Sequence, residues 1–390
     1  MWLDLYWFVL LLMAYVFWPC WLALLRQWRL KVEEGRSDAR SAGAVSVIVP
    51  ARNEQDALER CLASLAGQDY PDLEVIVVDD RSEDATAEIA RRFSAGDSRF
   101  RYVRVEQLPE GWLGKNHAAY VGSTAARGDF LLFTDADVVF EPSAIRKAVT
   151  YMLRRRLDHL TLLPGSPPLP LWESAVMVYF AALFVSVTRA PITRFSRWGY
   201  AGVGAFNLVR RAAYEAIGGH RSLRLEVVDD VMLGWLLKKH GYRQDAVPAV
   251  DLVQVRWQKG VWGIVRGLEK NAFAGLGYSL VRVVASTLFQ LGAFVAPWVA
   301  LAAYGFQWPL AVTVALALVT FCGVAVRFTG SALPGLLYPV GAVVLVVAVC
   351  WSCWKAVTRG AVEWRCTCYR LDELRAFRRA LERTVRCAAM

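Results

Sequence analysis

Charge is scarce in this chain. Asp, Glu, Lys and Arg make up 21% of its 390 residues, against about 25% in soluble globular proteins. Acids are the scarcer sign, 35 against 45 Lys and Arg, so the formal net charge is +10. Histidine is rarer still: the four (His117, His159, His220, His240) show no metal-ligand spacing and read as structural. Cysteine is thin as well. Of eight residues, Cys20, Cys322, Cys350 and Cys353 sit inside apolar runs, which is no disulfide framework for a chain of this length. Cys350-x-x-Cys353 and Cys366-x-Cys368 would each need further ligands to hold a metal, so cysteine reads as small apolar filler.

Apolar side chains take up the room that charge leaves. They reach 56%, with a mean hydropathy of +0.32, above the roughly 45–50% of soluble domains. That balance excludes a disordered chain and argues against an ordinary soluble enzyme. The basic excess is no nucleic-acid stripe either, because half of it lies at one end. From Lys355 onward nine Lys and Arg face four acids, giving the tail +5. A basic tail beside apolar segments reads as a membrane-surface feature, with no nucleic-acid partner.

The apolar residues are concentrated in uncharged runs. Leu5 to Leu25 is 21 residues without a charge, enough as a helix for about 30 Å of bilayer core. Asp4 before it, and Trp18, Trp21 and Leu24 where small residues should stand, argue for a retained anchor over a cleaved signal. Between Arg282 and Arg327 lie 44 uncharged residues, room for two spans with a turn at 304–309. Phe328 to Trp354 adds 27 more and one further span. Ser174 to Thr188 is apolar too, but its 15 residues fall short of the roughly 17–25 of a span, so it reads as a buried or interfacial helix. Arg26, Arg29 and Lys31 flank the first run, and the positive-inside tendency then puts residues 30–280 in the cytoplasm. This predicts an integral protein of the cell or inner membrane. The expected organisation is an anchor at 1–28, a cytoplasmic domain at 44–278, three spans within 280–356 and a basic tail at 357–390. Three late spans would carry that tail to the far side, against the same tendency. Either one late segment does not cross or the tail is an exception.

Between the apolar ends the composition turns globular. Buried, β-branched runs at Val45–Val49, Glu74–Val78, Phe100–Val105 and Phe130–Phe133 alternate with helical periods at Glu54–Leu65, Ala85–Phe93 and Asn116–Ala126. The predicted class is α/β, with a mostly parallel sheet covered on both faces. Such sheets bind ligands beyond the carboxyl ends of their strands, which is where this sequence keeps acids.

Asp79-Asp80 follows the second run, and one of them is expected as a cap. The pair could also hydrogen-bond the base or ribose of a nucleotide. Asp135-Ala-Asp137 follows the fourth run, and in extended chain residues i and i+2 point the same way. Two carboxylates held close invite a divalent cation, and oxygen ligands select Mg²⁺ or Mn²⁺. Lys115, in Gly111-Trp-Leu-Gly-Lys-Asn116, offers a point charge to a phosphate or stands solvated in a turn. Asp229-Asp230 opens a helical stretch, Val231 to Leu237; capping uses one acid and leaves the other to accept a proton. Arg256-Trp257 and Lys270-Asn271 come just before the late apolar runs.

In order, these pieces resemble the family 2 glycosyltransferases of GT-A fold, over Val45 to about Tyr278. The resemblance rests on Val-Pro-Ala-Arg-Asn-Glu54, Val-Val-Asp-Asp-Arg-Ser-Glu-Asp-Ala-Thr86, Thr-Asp-Ala-Asp137, Gly202-Val-Gly-Ala-Phe-Asn-Leu-Val-Arg-Arg211, Gly218-Gly219 and Val-Asp-Asp230. Gly-Trp-Leu-Gly-Lys115, Lys270-Asn271 and Val362-Glu-Trp-Arg are similar to the membrane-embedded subgroup, with its hopanoid-associated, carotenoid and ceramide glycosyltransferases. The resemblance implies a Rossmann-like nucleotide-sugar domain between transmembrane helices. It gives Pro50, Ala51, Arg52, Glu54, Asp79 and Asp80 to the nucleotide. It gives Asp137 to the metal, Asp135 to ribose or metal, and Asp230 to the general base, with Asp229 where the family usually has Glu. Many members carry Gln-x-x-Arg-Trp; Gln254-Val-Arg256-Trp257 is one residue short, and Arg256 and Trp257 would be donor- and acceptor-site residues. The implied activity is inverting, metal-dependent transfer from a nucleotide-diphosphate sugar to a lipid hydroxyl. The alternatives are a polyprenyl-phosphate sugar transferase, a polysaccharide synthase, or an inert membrane scaffold or transporter. The last fits least, because its spans lack the ionisable residues that mark solute pathways.

Overall fold

The computed structural model describes residues 2–25, 43–365 and 367–388. Arg26, Arg29, Lys31 and Cys366, used in the reading above, lie outside the described residues.

The order begins with α1 (Trp2–Leu25), β1 (Val45–Ala51), α2 (Leu58–Ala66), β2 (Leu73–Asp80), α3 (Thr86–Gly96) and β3 (Phe100–Val105). It continues with α4 (Gly114–Ala125), β4 (Phe130–Phe133), β5 (Val138–Phe140), α5 (Ala144–Arg154), β6 (His159–Leu163) and α6 (Leu171–Thr188). Then come β7 (Asn207–Arg210), α7 (Arg211–Ala216), α8 (Asp229–Lys239), β8 (Gln244–Pro248), β9 (Val253–Val255), α9 (Val261–Leu268) and α10 (Asn271–Gly275). The last part is α11 (Leu280–Phe294), α12 (Ala296–Tyr304), α13 (Trp308–Thr329), α14 (Leu333–Leu336), α15 (Tyr338–Arg359), β10 (Ala361–Trp364), β11 (Thr367–Arg370) and α16 (Leu371–Ala388). The chain divides into a helical unit (residues 1–28, 168–191 and 257–375) and a sheet unit (29–167, 192–256 and 376–390).

The sheet unit is built on seven strands in the order β3-β2-β1-β4-β7-β6-β8. β1 pairs in parallel with β2 and β4, and β2 with β3, whereas β7 runs antiparallel to β4 and β6. β4 is buried throughout and β1 and β2 nearly so, as strands covered on both faces require. Parallel pairing brings the carboxyl ends of β1, β2 and β4 to one edge. Because β7 is reversed, with Phe133 paired to Asn207, the segment entering β7 reaches that same edge.

The tail returns to this unit. Val385 and the half-buried Leu381 pack with Leu223, Met232, Leu233 and Leu236, and Arg378 pairs with Glu226. The end of the tail is therefore part of the sheet unit.

In the helical unit an aromatic layer joins Phe17, Tyr179, Phe294, Phe321 and Tyr338. Tyr338 and Tyr179 stack on Phe321 at 4.9 and 5.1 Å, and Phe17 and Phe294 meet edge-on at 5.5 Å. By length and composition α6, α13 and α15 could each cross a membrane, as could α11 and α12 if that pair, bent by 40°, is one span. Two apolar boundaries differ from expectation. Gly330, with φ 76°, ends α13, and the last span starts at Tyr338, behind the separate turn α14. α6 is 18 residues long because it begins at Leu171, with Glu173 buried inside it and accepting from the Gly260 N–H at 3.0 Å. Length thus does not exclude a crossing, but topology does. β6 precedes α6, β7 follows it, and the two are hydrogen-bonded neighbours, so one crossing would put adjacent strands on opposite sides.

Candidate active site

The acids gather where the sheet's edge meets the first turns of α4 and α8. β4 stops at Phe133, and Asp135 is held by its own N–H, which donates to the Gly204 carbonyl at 2.9 Å. Its carboxylate meets Lys115 Nζ, from the first turn of α4, at 2.7 Å. Asp229 Oδ1 lies 3.7 Å from the same ammonium and its Oδ2 lies 3.9 Å from His220 Nε2. Asp230 accepts from the N–H groups of Gly204 and Val231, both at 2.8 Å. Asp135, Asp229, Asp230, Lys115, His220 and Pro50 line one cavity.

Electrostatics follow from this crowding. Burial works against the Lys115 ammonium, but Asp135, Asp229 and Asp230 outweigh it and hold the group well above its ordinary range. Asp230 is pushed up, first by burial and then by the Asp229 carboxylate. Asp137 is raised to about 7 by burial, then by Asp135 and Glu54. It is an acid short of positive charge.

The paired acids divide their duties. Asp79 has no exposed surface; it accepts from the Ser82 N–H at 2.9 Å and the Tyr102 hydroxyl at 3.0 Å. Both its oxygens are thus engaged within the fold. Asp80 meets Arg81 Nε at 2.8 Å and Arg52 at 3.9 Å. It also sits against Gly114, where a Cβ would come within 2.2 Å of Oδ2. Ala51 is buried at the end of β1, and the Glu54 N–H donates to Thr86 Oγ1 at 2.8 Å. Arg256 is not among the cavity-lining residues, and Trp257, in the helical unit, stacks on Phe180 at 5.1 Å.

Among the lining residues that sequence reasoning gave no role are His220 and Asn207. His220, read as structural, is buried against Phe133, with its Nδ1 2.9 Å from the Tyr214 hydroxyl. Asn207 lines the cavity and donates to the Asp230 carbonyl at 3.4 Å. The signal for both was adjacency: His220 follows Gly218-Gly219, and Asn207 lies inside the Gly202–Arg211 motif. Among the described residues no three His, Cys, Asp or Glu side chains form a metal-binding group. The metal-ligating candidates are the two carboxylates Asp135 and Asp137.

Residues 46–163 match the family model described as Glycosyl transferase family 2. The chain is 28% identical to the 4,4'-diaponeurosporenoate glycosyltransferase of Staphylococcus aureus strain USA300, over 257 residues. The alignment takes in 64% of this chain and 66% of that protein, and the relative from strain NCTC 8325 / PS 47 matches identically. It thus spans just under two thirds of those relatives' length. Among solved structures, the mannosyltransferase PcManGT from Pyrobaculum calidifontis, in complex with GDP-Man and Mn²⁺, is alike in fold. The TM-score is 0.53 at 21% identity, covering 89% of this chain and 98% of that one. Residues 46–163 thus carry a family 2 glycosyltransferase domain, and the chain shares the GT-A fold of that solved structure.

Proposed function

We propose that the chain transfers a sugar from a nucleotide-diphosphate sugar to a hydroxyl of a membrane lipid, inverting the anomeric carbon, with Mg²⁺ or Mn²⁺ as cofactor. The observation that carries this reading is the convergence of Lys115, Asp135, Asp229 and Asp230 on one cavity at the carboxyl edge of parallel strands. Asp80, Arg52, Glu54, Pro50 and Ala51 hold the nucleotide. Asp137, with Asp135, holds the cation; Mg²⁺ commonly uses one or two protein carboxylates and takes its other oxygens from phosphates and water, so two acids suffice. A cation held by these two carboxylates would supply positive charge against the departing diphosphate.

The chain's own groups do the rest. Lys115 offers a fixed positive charge to the diphosphate. Asp230, partly open to the cavity with its carboxyl raised, takes the proton of the acceptor hydroxyl. Asp229 lies between Lys115 and His220 and keeps both turned toward the reacting groups. Arg256 and Trp257 keep their donor- and acceptor-side assignments on resemblance alone. The lipid acceptor is supported by the relative named as a diaponeurosporenoate glycosyltransferase and by the apolar helices of this chain. The flank of Arg26, Arg29 and Lys31 supports a cytoplasmic catalytic face. The test is donor hydrolysis by purified full-length protein across a panel of nucleotide sugars, with and without Mn²⁺. Metal-dependent release of nucleoside diphosphate is expected; none from any donor ends the reading.

A further inference from the structure

α6 is followed by a loop of unusual composition, Thr193-Arg-Phe-Ser-Arg-Trp198. No acid occurs between Glu173 and Glu215. Phe195 and Trp198 are 69% and 60% exposed, and each lies beneath a guanidinium, Arg194 over Phe195 at 5.2 Å and Arg197 over Trp198 at 5.3 Å. The loop is firmly built. Thr193 Oγ1 donates to Asp245 Oδ1 at 3.3 Å and accepts from the Ala246 N–H at 3.1 Å, while Lys238 Nζ donates to the Thr193 carbonyl. The N–H groups of Phe195 and Ser196 both donate to the Ile192 carbonyl at 2.9 Å. A rigid base thus presents two large rings and two cations outward.

We propose that this loop is a membrane-interface anchor of the sheet unit: Phe195 and Trp198 enter the headgroup layer, and Arg194 and Arg197 contact the phosphates of anionic phospholipids. Three observations converge on that partner. Tryptophan, an apolar ring with one polar N–H, settles at the membrane–water boundary, and Phe195 adds apolar surface beside Trp198. Exposed basic side chains are drawn to anionic leaflets, and Asp245, an acid that acts on Arg194, is buried and engaged by Thr193 and Tyr151. Covalent reach supplies the third: five residues separate Thr188 from Arg194 and nine separate it from Trp198, so the two stay within about 20 and 35 Å of the end of α6. That helix is apolar yet cannot cross, so its ends share one face of the bilayer. The inference rests on the reading that the apolar helices lie in a membrane.

The test uses the full-length protein labelled with 5-fluorotryptophan in nanodiscs of phosphatidylcholine and phosphatidylglycerol. The ¹⁹F resonance that disappears in Trp198→Phe belongs to Trp198. Doped 5-doxyl lipid should abolish it, and a water-soluble gadolinium chelate should leave it. Arg194→Gln/Arg197→Gln should restore the signal in the presence of doxyl lipid, as should replacing phosphatidylglycerol with phosphatidylcholine. If other tryptophan signals are lost to doxyl lipid while Trp198 responds to the chelate, the helices are embedded and the anchor alone is refuted. Indifference of Trp198 to both agents means another protein surface covers it, which also refutes the anchor. Indifference of every tryptophan to doxyl lipid overturns the membrane reading and the anchor together. Loss of the Trp198 signal irrespective of phosphatidylglycerol and of both arginines overturns the anionic-headgroup contact.

Discussion

Arg378 Nη1 donates to Glu226 Oε2 at 2.6 Å across 152 positions of sequence, with the two side chains 13% and 2% exposed. Glu226 stands three residues before Asp229, and its carbonyl, with that of Leu223, accepts from Asn116 Nδ2 at 2.9 and 2.6 Å. The last helix and the first turn of α4 therefore hold the same segment, the one that delivers the acids of α8. Burial raises the Glu226 carboxyl to about 7, although Arg378 pulls the other way.

Arg378→Met leaves that carboxylate buried without its cation, a change that typically costs about 3–5 kcal/mol. The sign with pH follows from the raised carboxyl. A group whose folded pKa exceeds its unfolded value stabilises below the unfolded pKa and loses that contribution as pH rises through the folded one. Without Arg378 the folded value climbs further. The stability deficit of Arg378→Met relative to wild type should therefore be largest above pH 7 and shrink toward pH 5. Glu226→Gln/Arg378→Met should abolish the pH dependence of that deficit. Thermal melts of the three proteins across pH check this, and a deficit independent of pH would refute the pairing.

Asp230→Asn separates a general base from a mere structural acid. Positioned proton transfer contributes about 10²–10⁴-fold, so kcat should fall by that order with the donor KM little changed. Asp229→Asn acts differently, because Asp229 touches Lys115 and His220; donor KM should rise with it. Steady-state kinetics on both variants decide, and equal effects on kcat and KM in both would remove the division of roles.

Much of this arrangement was legible because parallel strands are buried on both faces and so read as apolar runs ending in acids. Other parts depended on distant partners. The same-direction argument for Asp135 and Asp137 assumed extended chain, whereas β4 stops at Phe133. Adjacent strand residues alternate faces, so Asp79 and Asp80 had to part company, one into the fold and one toward the edge. The reversal of β7, which brings Gly204 and Asn207 to the acids, has no local signal, nor does the return of the tail to Glu226. His220 was passed over because a lone histidine carries no spacing.

Two glycines of the Gly202–Arg211 motif should fail in different ways. A Cβ at Gly202 would meet the Asp230 backbone carbonyl oxygen at 1.8 Å, and one at Gly204 would meet Asp135 Oδ2 at 2.4 Å. Backbone cannot yield, but a carboxylate can swing aside. Gly202→Ala should therefore lower the melting temperature or prevent folding. Gly204→Ala should fold, displace Asp135 from Lys115 and lose transfer activity. A Gly204→Ala enzyme with wild-type turnover would show that the Asp135–Lys115 contact is dispensable.

Removal of divalent cation tests the acid pair directly. Asp135, Asp229 and Asp230 line the cavity with one lysine, Lys115, and Asp137 beside them is raised by burial, then by Asp135 and Glu54, so the site is short of positive charge. A nucleoside diphosphate would add to that repulsion unless a cation accompanied it. Chelation should therefore weaken nucleoside diphosphate binding by at least about tenfold, a loss of some 1.4 kcal/mol, and Mn²⁺ should restore it. In Asp137→Asn the restoration should be lost, since the carboxylate that ties cation to protein is gone. Calorimetric titration of the full chain with nucleoside diphosphate measures this without any acceptor. Metal-independent binding in the wild type would dismiss the two acids as a cation site, whatever the turnover of the enzyme.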